Sequence, residues 1–191
     1  SGARRDLFLG LQEGISRHAA DVARRFGAQV VLQLDEPYLD QILAGTLPGV
    51  TDFEDIAAVP AEVAADTLAR FQARYLHLDQ PQWELARSAQ TVLLDLPRLD
   101  NPKDLDGLGQ HLDSGARVGL GITAGDAVAG QPDAARGVAF AIARLLDRLG
   151  LPRRLLTHAV DVYPARPNEP ARDYRLAHRV AAMLERDAGD L

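Results

Sequence analysis

The 191-residue chain contains no cysteine, which excludes disulfides and every metal site built on thiolates. Lysine is almost absent: Lys103 is the only one, and arginine carries the rest of the basic charge. A GC-rich genome produces that bias without any functional cause. No uninterrupted apolar run reaches the roughly 18 residues a membrane span needs. The opening segment, "SGARRDLFLGLQEG", lacks the apolar core and cleavage site of a signal peptide. A basic face is missing too. The net charge of −6 argues against a phosphate-backbone partner. These absences set the expectation of a cytoplasmic protein with no membrane and no nucleic-acid partner. The initiator methionine is also missing, and the chain enters a helix at once, so it reads as a segment of something longer.

What is present is globular in character. Hydrophobic residues make up 47% and charged residues 25%, and the length suits a single domain spanning 1–191. Residues 4 to 26 place Leu7, Leu11, Ile15, Ala19, Val22 and Phe26 on one helical stripe, which Gly27 ends. "AQVVLQLDEP" follows as a strand, then a long Gly- and Pro-marked connection with room for a short helix. "PAEVAADTLARFQAR" predicts a helix, "YLHLD" (75 to 79) a strand, and "QPQWELARSA" a short helix or turn. The strand "TVLLDLP" (91 to 97) precedes a helix in "DLDGLGQHLDSGA", and "RVGLGITA" (117 to 124) is strand again. The amphipathic "DAARGVAFAIARLLDRLG" predicts a helix, "RLLTHAVDVYP" (154 to 164) the last strand, and "ARDYRLAHRVAAMLERDAG" the last helix.

The order is a helix followed by five βα units, which implies a parallel sheet with right-handed crossovers. Several strands read as continuously apolar, as expected when both faces are covered. No GxGxxG follows the first strand, which counts against a dinucleotide-binding sheet. The leading helix has no strand before it. The fold expected is therefore α/β, the C-terminal portion, about five βα units, of a (β/α)8 TIM barrel. Its N-terminal strands would be missing from this chain.

Ligands of parallel α/β folds bind at the C-terminal strand ends. Those positions hold Asp35 and Glu36, then His77 and Asp79, then Asp95, then Thr123 and Asp126, then Tyr163 and Arg166. The opposite rim receives "GAQ", "SAQ" and "SGAR", with less ionisable chemistry. Each residue alone has an ordinary reading. His77 fits a strand wall, Asp79 could cap the helix holding Trp83, Asp95 could pair with Arg98, and Arg166 could be a surface guanidinium. Five such ends on one rim make the stronger case for a site. His18, His111, His158 and His178 have no ligand-like spacing and read as structural. There is no G-x-S-x-G and no G-x-x-x-x-G-K-[ST], and Ser88 and Ser114 sit in helix or turn contexts. The glycines of "GLGITAGD" suit close packing within a strand better than a nucleotide loop.

"VVLQLDEPYL" resembles the Ile-Gln-x-Asp-Glu-Pro segment of cobalamin-independent methionine synthases, whose catalytic domain is a barrel of the uroporphyrinogen decarboxylase-like group. The likeness continues in order. "GARRDLFLGLQEGI" is similar to the helix before that motif. "YLHLDQ" falls where the family carries His-x-Cys, "TVLLDLPR" where it carries Ile-Glu-Thr-Ser-Arg, and "VYPARPN" where it carries Asn-Pro-Asp-Cys-Gly. The resemblance implies that Asp35 binds the amino group of homocysteine, with Glu36 and His77 beside it in a catalytic role. Asp126, Tyr163 and Arg166, at the same strand ends, are expected to contact the substrate, and the resemblance implies folate as co-substrate. The family's zinc ligands, His, Cys, Glu and Cys, map by position onto His77, Asp79, Asp95 and Arg166. His77, Asp79 and Asp95 could still hold a divalent ion. A guanidinium about 4 Å from a dication would be repelled by roughly 8 kcal/mol at an effective dielectric of ~20, so Arg166 is expected to replace the metal as counter-charge. Both alternatives stay open at this stage.

Two functions follow. One is a methyltransferase moving a methyl group from a folate-type donor to a thiol such as homocysteine. The other is a non-catalytic or re-purposed barrel binding a small cationic or zwitterionic molecule. A decarboxylase of the uroporphyrinogen type would need clustered arginines, which the acidic rim lacks. Either way the partners expected are a small-molecule substrate and the missing N-terminal barrel half, or another chain, covering the open sheet edges.

Overall fold

A computed structural model describes residues 2–51, 56–123, 134–165 and 170–191. In chain order the elements are α1 (Gly2–Phe26), β1 (Gln33–Asp35), α2 (Leu39–Ala44), α3 (Ala61–Ala69), β2 (Tyr75–His77), β3 (Thr91–Asp95), α4 (Pro102–Asp113), β4 (Arg117–Ile122), α5 (Ala134–Arg148), α6 (Leu155–His158), β5 (Val160–Pro164) and α7 (Pro170–Arg186). Short 3-10 turns at Ala86–Ser88 and Leu96–Arg98 flank β3. The five strands form one all-parallel sheet in the order β1-β2-β3-β4-β5.

That order decides between the two parallel architectures. Doubly wound sheets reverse their strand order and so cover both faces with helices. Here the order never reverses, so right-handed crossovers carry every connecting helix to the same face. This is the winding of a barrel segment.

Strand alternation sorts the side chains accordingly. Leu76, Val92, Leu94, Val118, Leu120, Ile122 and Val160 face the helices, where they join Leu108, Leu112, Val138, Ile142, Leu146, Val180 and Leu184 in one core. Most are fully buried, and each full burial of this kind stabilises by about 1.5–3 kcal/mol. The opposite face carries Gln33 and Asp35, Tyr75 and His77, Thr91, Leu93 and Asp95, Arg117, Gly119 and Gly121, and Asp161 and Tyr163. One face is grease; the other is mostly chemistry. The continuously apolar strands covered on both faces that the sequence predicts are found in β3 and, after Arg117, in β4, while β1, β2 and β5 are not buried throughout.

Other expectations shift for local reasons. In "AQVVLQLDEP" only Gln33–Asp35 is strand, because β1 is an edge that pairs with the three residues of β2 alone, and Val30 and Val31 stay exposed. The first half of "RLLTHAVDVYP" turns into α6 through i to i+3 bonds from Leu155 to Pro152 and from Leu156 to Arg153. The stripe on α1 covers no core. None of its residues is buried, and Leu7 and Phe26 are each 76% exposed. The helix touches the rest beside that stripe, where Phe8 packs edge-on to Phe71 at 5.1 Å and Gln12 Nε2 donates to the Arg70 carbonyl. No helix among the described residues is long and apolar enough to cross a membrane.

Candidate functional site

Three register rows build the site. Asp35, His77 and Leu93 are aligned across β1, β2 and β3, and Leu93 is aligned with Gly119 and Asp161. One step further along, Asp95, Gly121 and Tyr163 are aligned across β3, β4 and β5. One step back lies a row of Gln33, Tyr75, Thr91 and Arg117.

The two upper rows meet in a chain of contacts. Asp35 Oδ1 lies 3.0 Å from His77 Nδ1. His77 Nε2 lies 4.0 Å from Asp95 Oδ1, and the Tyr163 hydroxyl donates to that same oxygen at 3.0 Å. The His77 and Tyr163 rings stand nearly perpendicular, 6.1 Å apart. His77 and Asp95 are mostly covered, at 19% and 16% side-chain exposure, whereas Asp35 is 62% exposed. A carboxylate covered to that degree needs a donor, and a hydrogen bond to an ionised group contributes about 1.5–3 kcal/mol. Tyr163 supplies it.

Glycine on β4 makes the approach of Tyr163 and Asp95 feasible. A Cβ on Gly121 would lie 2.5 Å from Asp95 Oδ1, 2.6 Å from Tyr163 Cζ and 2.7 Å from its hydroxyl oxygen. At Gly119 a Cβ would run into the Leu93 side chain. The close-packing reading of "GLGITAGD" therefore holds for both glycines.

The remaining candidates lie elsewhere or outside the described residues. Glu36 Oε1 accepts from the Tyr38 backbone N–H at 3.3 Å, forming the turn into α2. Asp79 is half-buried two residues past β2 and has an interaction partner of its own. Asp126 and Arg166 fall outside the described residues. Sequence reasoning missed Arg117 and Asp161, an ion pair at 2.8 Å on the same polar face, in which the Arg117 guanidinium also donates to the His158 carbonyl. The alternation in "RVG" and "VDV" was the available signal.

The donor set does not fit the zinc site implied by resemblance. There is no thiolate, Asp35 engages His77 Nδ1, and Tyr163 engages the Asp95 oxygen that faces His77. Among the described residues no group of three His, Asp or Glu is arranged to hold a metal ion.

A groove of about 520 Å³ lies on the helix side, between α3, α4 and the β2–β3 connection, lined by Glu62, Trp83, Arg87 and His111 among others. Trp83 sits over Gly107, where a Cβ would collide with the indole, and its ring lies 5.6 Å from that of His111. His111 is 6% exposed and bonds through Nε2 to the Arg117 carbonyl. Burial lowers its pKa below the usual value. The bond to Arg117 opposes that shift, and the positive charge of Arg87 adds to it.

Compared with protein-family models, with curated proteins and with solved structures, the chain matches none.

Proposed function

We propose that this chain is the rim-bearing segment of a methionine-synthase-like barrel. It binds a small substrate with an amino group and a thiol, such as homocysteine, and transfers a methyl group to the sulfur from a folate-type donor. The observation that carries this reading is the linked set Asp35, His77, Asp95 and Tyr163, drawn from four strands at their C-terminal ends. The "LDEP" resemblance supports it independently. Asp35 uses one oxygen on His77 and is well exposed, leaving its other oxygen for the substrate ammonium. In the transfer, the sulfur–methyl bond forms as the donor's nitrogen–methyl bond breaks, and the donor nitrogen ends with the proton the thiol gives up. Further barrel strands, from the same polypeptide or another chain, would close the edges at β1 and β5.

A second reading, a re-purposed barrel that binds zwitterions without turnover, is favoured by one observation: no thiolate is present to activate a metal. Titration calorimetry with homocysteine and with norleucine, alongside a methionine-formation assay with a methylfolate, separates the two. Homocysteine preferred over norleucine, with methionine produced, supports the first. Equal binding without product supports the second. Binding of neither amino acid would sink both.

A further inference from the structure

The methyl-transfer reading puts this centre where the resembling family holds zinc, and the inference that follows rests on that reading. We propose that the centre is organised without a metal. Tyr163, seated on Gly121, holds Asp95; Asp35 holds His77; hydrogen bonds thus fix the two side chains that coordination would otherwise fix.

The geometry carries this in three steps. First, the facing atoms are too far apart. Zinc bonds of about 2.0–2.2 Å to nitrogen and oxygen, spanning a gap of 4.0 Å between His77 Nε2 and Asp95 Oδ1, would require a ligand–metal–ligand angle of roughly 150°. Structural and catalytic zinc is tetrahedral, and that angle is far from it. Second, the atoms that would have to move are held. Tyr163 donates to the same Asp95 oxygen that faces His77, and Asp35 fixes the ring of His77 through Nδ1. Third, Gly121 keeps the space for the phenol, since any side chain there would displace Tyr163 and Asp95 together. Gly121 is thus a positioning residue that acts through Tyr163.

The test uses the full chain grown in zinc-supplemented medium. Zinc is measured by mass spectrometry, and melting is followed with EDTA and with added zinc. Cobalt is added separately to read its visible bands. The expected result is substoichiometric zinc, a melting temperature unmoved by EDTA or zinc, and no tetrahedral cobalt spectrum. Tyr163→Phe should lower the melting temperature by about 3–12 °C, the shift expected for loss of one hydrogen bond to an ionised group in a domain of this size. The ¹³Cζ signal of Tyr163 should move in Asp95→Asn, a change that loss of packing alone would not give. One zinc per chain, released in His77→Ala with a fall in melting temperature, overturns the proposal. The zinc measurement on the unmodified chain stands even if a variant fails to fold. Homocysteine calorimetry in EDTA keeps the two claims apart. Binding alongside stoichiometric zinc defeats only this inference; no binding by a metal-free, folded chain defeats only the methyl-transfer reading.

Discussion

Tyr163 on β5 donates its hydroxyl hydrogen to Asp95 on β3 across an intervening strand that offers only Gly121 between them. The phenol needs a clear path over β4, and the absent Cβ of Gly121 provides it. The contact ties the last strand of the sheet to the middle of the candidate site.

Gly121→Ala should therefore cost more than a glycine-to-alanine change in an open strand. The added carbon meets three atoms at 2.5–2.7 Å, and overpacking of this kind costs about 1–3 kcal/mol. Urea titration reads the loss. A variant as stable as the parent would show that β5 shifts freely and that the phenol is not seated.

Asp35→Asn should weaken homocysteine binding by roughly tenfold or more, the range for loss of a charge-assisted hydrogen bond. Stability should change little, since Asp35 is 62% exposed. Calorimetry on the folded variant checks this, and unchanged affinity would remove Asp35 from the substrate site.

His111 gives a pH dependence of definite sign. Its folded pKa lies below the unfolded value near 6.5 because burial disfavours the charged form. The unfolded chain therefore binds the extra proton first as pH falls. The stabilising contribution is complete above about pH 6.5 and is lost as pH drops through that value toward the folded pKa. Urea midpoints at pH 7.5 and 5.5 should differ less in His111→Gln than in the parent.

The two faces of the sheet and the first helix should respond unequally to truncation. Leu120→Ala, at a side chain 1% exposed, should cost about 2–5 kcal/mol. Leu7→Ala on α1, 76% exposed, should stay within about 0.5 kcal/mol. A large loss at Leu7 would reveal a partner surface on that helix.

How much of this could be read in the sequence depended on which physical signal was local. The five βα units and the parallel sheet were legible, because helix periodicity and strand spacing recur along the chain. The rim residues Asp35, His77, Asp95 and Tyr163 were legible as strand ends. Their connections were not. Arg98 was the natural sequence neighbour for Asp95, and Tyr163 prevailed because Gly121 opens a path that only the register reveals. "RLLTHAV" reads as strand in the sequence but begins as α6, because a short apolar run suits helix and strand alike. The helical stripe of α1 is a true periodicity, but periodicity says nothing of whether a surface stands opposite it.

Because core-facing and site-facing positions interleave one for one along most of the strands, neither set can drift alone. Inserting or deleting one residue just before Val118 would turn Val118, Leu120 and Ile122 toward the site face and bring glycines under the helices. A lineage carrying this sheet can swap individual rim residues, but sliding a strand would cost it the hydrophobic interior as well as the site.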